Sequence, residues 1–160
     1  MRLAAVLMLL AAACAQQKPA EPAPAPAAQT PAGPRIVLPD GFAVDVEVAN
    51  NDELRAQGLM YRDRLPSGKG MIFFFADEGV YPFWMKNTLI PLDMIWIDAA
   101  KKVAHVKSNV PPCKVDPCPS YDPEVPARYV LELAGGEAAK HGLKAGDSLR
   151  FEGMDNVAVR

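Results

Sequence analysis

Lys86, Asn87, Thr88 and Asp93 interrupt a stretch, Phe83 to Ile97, that is otherwise apolar enough for a core, and Trp84 stands just before them. Buried polar groups must find partners, so these residues either staple a hairpin internally or line a recess where a ligand completes their bonds. As a site, Lys86 or the nearby Arg62 would hold an anionic or hydroxyl-rich group. Asn87 would supply directional hydrogen bonds and Trp84 a flat apolar face. As scaffolding, Asn87-Thr88 would be turn chemistry and Asp93 would pair with Arg62. The candidate ligand-binding residues are therefore Arg62, Trp84, Lys86, Asn87 and Asp93. They are expected to meet at one end of the fold beside Pro91, which breaks a strand pair.

Other chemistry is sparse. There is no Gly-x-Ser-x-Gly, no His-Glu-x-x-His and no Walker loop, and Ser67-Gly68-Lys69-Gly70 reads as a turn. A carboxylate pair such as Asp93 and Glu132 could serve a small hydrolase or lyase. Met60, Met71, Met85 and Met94 lie near Trp84 and Trp96, where thioethers either take Cu(I) or fill a core. His105 and His141 read as solvated, His141 sitting where a helix C-terminus favours a cation. No catalytic residue, metal or cofactor is assigned.

With Lys+Arg 17 against Asp+Glu 19, and Lys101-Lys102 the sole adjacent basic pair, there is no basic stripe to release counterions from a phosphate backbone. No nucleic-acid partner is expected. The 160 residues suit one domain, 50% hydrophobic and 22% charged, and the chain reads as a monomer.

The start of the chain carries an address. Arg2 precedes eleven unbroken apolar residues, Leu3 to Ala13, too few to span a bilayer. Residues 1–13 read as a signal peptide. Ala11-Ala12-Ala13-Cys14 resembles the lipobox of bacterial lipoproteins, with Ala11 where leucine is usual and Leu10 one place earlier. Cys14 is the expected lipidated residue. Ala15 after it resembles the default outer-membrane sorting of Gram-negative lipoproteins. From Ala15 to Arg35 six prolines stand among Ala, Gln and Glu, a strap that reaches roughly 65 Å at ~3.1 Å per residue. Exported, oxidising surroundings also suit Cys113 and Cys118, whose four intervening residues can turn back to close a disulfide.

The elements that must position the site begin near Ile36. Phe42, Val44, Val46 and Val48 alternate with Asp45 and Glu47 as a half-buried strand, and Asn50 stands three before Glu53 to open a helix that Gly58 ends. Met71–Phe75, Pro82–Met85 and Leu92–Ile97 are apolar on both faces and predict strands buried from both sides. Strands over Val103–Val110 and Arg128–Leu133, a short helix over Gly136–His141 and a last strand over Ser148–Glu152 follow. The prediction is a mostly β (α+β) domain: an antiparallel, barrel-like sheet of six to seven strands with two short helices, over 36–154, followed by a tail, 155–160.

Trp84-Met85-Lys86-Asn87-Thr88-Leu89-Ile90-Pro91-Leu92-Asp93 closely resembles a bacterial and archaeal family known as domain of unknown function 192. Four further segments resemble it: Arg55-x-x-Gly58-Leu59-Met60-x-Arg62, Gly70–Phe73, Ala127–Glu132 and Gly142–Asp147. The resemblance runs from Phe42 to Phe151 and implies a small, mostly β domain without an established activity. The Cys113–Cys118 segment resembles exported members. The sequence thus reads as an envelope lipoprotein that binds a glycan, peptide or protein without catalysis, with the carboxylate enzyme and a purely structural spacer as alternatives.

Overall fold

The computed structural model describes residues 33–160, so the expected signal segment, Cys14 and nearly all of the strap lie outside the described residues. In chain order the elements are β1 (Arg35–Val37), β2 (Ala43–Ala49), α1 (Asp52–Gln57), β3 (Lys69–Gly79), β4 (Phe83–Trp84), β5 (Leu92–Ile97), β6 (Val103–Val110), β7 (Ser120–Tyr121), β8 (Ala127–Ala134), α2 (Glu137–Lys140) and β9 (Arg150–Glu152). Seven strands form one sheet in the order β6-β5-β8-β3-β2-β1-β9, curled into a half-barrel, while β4 and β7 form a separate ribbon. The mostly β domain with two short helices is as the sequence predicts. Pairing is antiparallel except between β2 and β3, which run parallel because α1 carries the chain back between them.

The half-barrel nearly meets itself. Val103 N–H donates to Asp147 C=O (2.8 Å) and Leu149 N–H to Lys101 C=O (2.9 Å), joining the start of β6 to the approach of β9. These bonds occupy backbone groups that two open edges would otherwise present.

Alternation along the strands feeds two cores. Val44, Ile72, Ile95, Ile97, Leu131 and Leu133 pack with Ile36, Ala138 and Leu143 on one face, where α2 and β9 complete the cluster. Met71, Phe73, Met94, Trp96 and Val130 pack on the opposite face with Leu59 and Met85, beneath the loop after α1 and the β4–β7 ribbon. Double burial of β5 therefore comes from this external cover and not from barrel closure alone. The run Pro82–Met85 is not buried on both faces. Only Phe83 and Trp84 are in a strand, and Trp84 is 52% exposed because the ribbon is itself the outer layer.

Local capping also differs from the prediction. Asn51, not Asn50, caps α1, its side chain accepting from Leu54 N–H at 2.8 Å. Asn50 instead donates to Ala158 C=O (2.7 Å) and accepts from Arg160 N–H (2.8 Å). Those contacts, with Val157 and Val159 packed on the first core, hold residues 155–160 against the domain.

Candidate functional site

The turn after β4 brings three of the candidate residues together. Met85 C=O accepts from Thr88 N–H (3.3 Å), and Asn87 takes a left-handed φ of 55°, a conformation asparagine tolerates. Asn87 C=O accepts from Tyr61 N–H at 2.8 Å, and its amide Nδ2 lies 3.8 Å from the Met60 sulfur, so the turn is fastened to the segment after α1. Lys86 Nζ lies 5.6 Å from the centre of the Trp84 ring and 3.5 Å from Asp116. Trp84, Lys86 and Asn87 thus share one outward-facing patch.

Arg62 and Asp93 do not join it. Both amino nitrogens of Arg62 bond the Glu47 carboxylate on β2, and that bond holds the Glu47 carboxyl below its usual range. Asp93 is fully buried on the other face of the sheet, because its neighbours Leu92 and Met94 enter the second core. There it accepts from the backbone N–H groups of Asn109 (2.6 Å), Gly136 (3.0 Å) and Ala138 (2.6 Å). It is a staple between β5, β6 and the start of α2, and it is not paired with Arg62. The same register separates the carboxylate pair considered from sequence. Asp93 lies opposite Leu133, while Glu132 lies opposite Met94, so the two point to opposite faces.

Glu132 is the functional candidate that sequence reasoning passed over as a single group. It sits between Met71 of β3 and Met94 of β5 on the second-core face, 4% exposed. Among the described residues no group hydrogen-bonds its carboxyl. Burial drives its pKa from 4.5 up to about 8, opposed in part by the positive charge of Arg62. The carboxyl opens on a recess of about 30 Å³, room for one water, walled by Leu59, Met60, Phe73, Phe83 and Thr88. Arg55, Trp84 and Lys86 stand around it. Arg55 is fixed there by bonds to Phe74 C=O (2.9 Å) and Asp52 (2.7 Å), and its guanidinium lies 5.6 Å from the Phe75 ring centre. The signal available in sequence was the alternation of Tyr129, Leu131 and Leu133, which sends Val130 and Glu132 together to the other face.

Two shallower grooves continue the recess. One, of about 240 Å³, runs over Phe75, Pro82, Phe83 and Trp84. The other, of about 150 Å³, lies between Lys86-Asn87 and the Cys113–Cys118 loop. Cys113 and Cys118 are disulfide-bonded, as the spacing predicts, and Cys113 N–H donates to Met85 C=O (3.2 Å). The bridge therefore sets where Asp116 meets Lys86. Closing so short a loop should stabilise the domain by about 2 kcal/mol. Cys113→Ser/Cys118→Ser should lower the urea midpoint accordingly, and non-reducing peptide mapping of the natural protein should recover the linked pair. Equal midpoints would mean the loop is held by its packing alone.

The methionines considered for Cu(I) are divided between roles. Met71, Met85 and Met94 fill the second core beside Trp96, and Met60 lines the recess. Among the described residues no three His, Cys, Asp or Glu side chains gather in a metal-holding group.

No curated protein matches the chain. Two solved structures do. A protein from Sinorhizobium meliloti 1021, described as a candidate transcription regulator, is 33% identical, with a TM-score of 0.67 over 74% of this chain and 91% of its own. A protein of unknown function from Novosphingobium aromaticivorans DSM 12444 is 30% identical, with a TM-score of 0.68 over 77% of this chain and 94% of its own. The family profile described as "Uncharacterized ACR" matches residues 35–151, from the first residue of β1 into β9. Profile and fold agree over the whole half-barrel, and the chain belongs to domain-of-unknown-function family 192.

Proposed function

We propose that this protein is an exported lipoprotein, anchored through Cys14 in the cell envelope, whose half-barrel domain binds a glycan, peptide or protein partner without transforming it. The observation that carries the binding reading is the carboxyl of Glu132, which among the described residues accepts and donates no hydrogen bond and lines a recess that opens beside the exposed indole of Trp84. A scaffold carboxyl would be satisfied internally, as Asp93 is; one facing an opening is completed by what enters. The strap between lipid and domain gives this site reach from the membrane.

Two measurements test the reading. Cys14→Ala should move the protein from the membrane fraction to the soluble envelope fraction. Thermal-shift and NMR titrations with oligosaccharides and muropeptides should perturb Trp84 and Lys86. Trp84→Ala should weaken that binding roughly five- to tenfold, while shifting the melting temperature little because the ring is half exposed. A carboxyl that stays protonated at neutral pH also suits a general acid. Turnover of a glycan or muropeptide that Glu132→Gln abolishes would replace binding with catalysis.

A further inference from the structure

We infer that the Glu132 recess is a carboxylate-recognition site, taking the head of an organic acid with an apolar stem, Glu132 donating its hydroxyl proton to the ligand oxygen while the stem lies over Phe83 and Trp84. This rests on the binding reading above and names its ligand class.

The argument starts from the charges around the recess. Arg55 on α1 and Lys86 on the turn after β4 line it, and Arg62, in the segment after α1, stands near enough to act on Glu132. The flanking residues on β3 and β5, Met71 and Met94, carry no charge. Each cation has an acidic mate, but Asp52 and Asp116 are 99% and 69% exposed, so water screens them. Arg62 and its mate Glu47 line a separate groove, so Arg62 acts on Glu132 only from a distance. Arg55 and Lys86 thus stand at the rim of the recess, and at its base lies Glu132, whose burial favours the protonated form.

An ammonium group entering here would meet Arg55 and Lys86 first and would have to expel the Glu132 proton. A carboxylate meets attraction from both cations and a hydroxyl donor at the base, giving a charge-assisted O–H···O⁻ bond. Thr88, buried and lining the recess, offers a second hydroxyl; its present contact to Lys86 C=O is long, at 3.4 Å. The small volume admits one ligand oxygen. The apolar groove over Phe75, Pro82, Phe83 and Trp84 begins at the rim, where a stem must emerge.

The proton makes the site pH-sensitive with a definite sign. Only protonated Glu132 donates and only an ionised ligand is attracted, so affinity should be level from about pH 6 to pH 7 and fall as pH rises through about 8. Between pH 7 and pH 9 the loss should be about tenfold.

The test uses the full chain carrying Cys14→Ala, which leaves the folded domain intact and the lipid off. Three probes share one stem: 3-phenylpropionate, 3-phenylpropionamide and 3-phenylpropylammonium. Amide NMR shifts should place 3-phenylpropionate at Phe83, Trp84 and Thr88, with the other two binding at least fivefold more weakly. Glu132→Gln replaces the hydroxyl with a weaker, non-titrating N–H donor, so it should bind more weakly at pH 7 and lose the decline above pH 8. Glu132→Leu should weaken binding tenfold or more. Tightest binding of the ammonium, abolished in Glu132→Gln, would overturn the inference in favour of a cation site. Equal binding of all three probes along Trp84 would overturn it while leaving the binding reading standing. Silence from these probes and from the glycan and muropeptide series would overturn both.

Discussion

Asp93→Ala should destabilise the domain by on the order of 4 kcal/mol, a large share of the ~5–15 kcal/mol that keeps a domain folded. The side chain is fully buried and accepts from Asn109, Gly136 and Ala138 N–H groups. Alanine would strand three donors, each costing ~1–3 kcal/mol when buried without a partner. The damage should spread from the start of α2. That helix has four residues and too few internal bonds to stand alone, and its Ala138 belongs to the first core. Asp93→Asn should recover little, since an amide turned towards these donors presents one oxygen and an NH₂ group that needs acceptors. Urea unfolding measures the loss, and hydrogen exchange should show Gly136 and Ala138 opening first. Any ligand of the Trp84 patch should bind the folded fraction with unchanged affinity. A stable Asp93→Asn protein that binds more weakly would return Asp93 to the site.

Asp93 also shows what the sequence carried and where it stopped. That a polar side chain inside an apolar strand must be satisfied was legible; whether by a ligand, Arg62 or backbone was not. The choice follows from strand register, which turns Leu92 and Met94 to one core and sends Asp93 to the other face. Trp84, Lys86 and Asn87 were legible as a group because a single turn holds them. Arg62 was not, because Glu47 lies fifteen residues upstream and reaches it only once β2 is in the sheet. The long strands announced themselves by alternation or by apolar runs. β1 and β7 have three and two residues, too short for periodicity, and exist through their partners β2, β9 and β4. The parallel pairing of β2 with β3 left no mark in either strand. Asn50 and Asn51 are equally suited to capping, and the choice was made by the returning C-terminal segment, which occupies Asn50.

Glu132→Gln should stabilise the domain at pH 8 by roughly 4 kcal/mol, and the gain should vanish in acid. The unfolded chain releases the Glu132 proton near 4.5, whereas burial keeps it bound in the fold until about 8. Between those values the native state holds one more proton than the unfolded state. The natural protein is therefore favoured fully below pH 4.5, loses stability steadily as pH rises to about 8, and is level beyond. Glutamine does not titrate, so the variant escapes that decline. Asp40, Asp45, Glu47, Glu137 and Asp147, whose carboxyls are held below their usual range, act with the opposite sign in acid, but they are common to both proteins and cancel in the difference. Paired urea titrations from pH 4 to pH 9 give the difference curve directly. At pH 8 the melting temperature should separate by about 15 °C, given ~4 °C per kcal/mol for a domain of this size. The hydrogen bond expected between Glu132 and a carboxylate ligand requires the same proton that makes this curve slope. A flat difference between pH 4.5 and 8 would mean that Glu132 is ionised and satisfied in the fold, and the donor at the base of the recess would be gone.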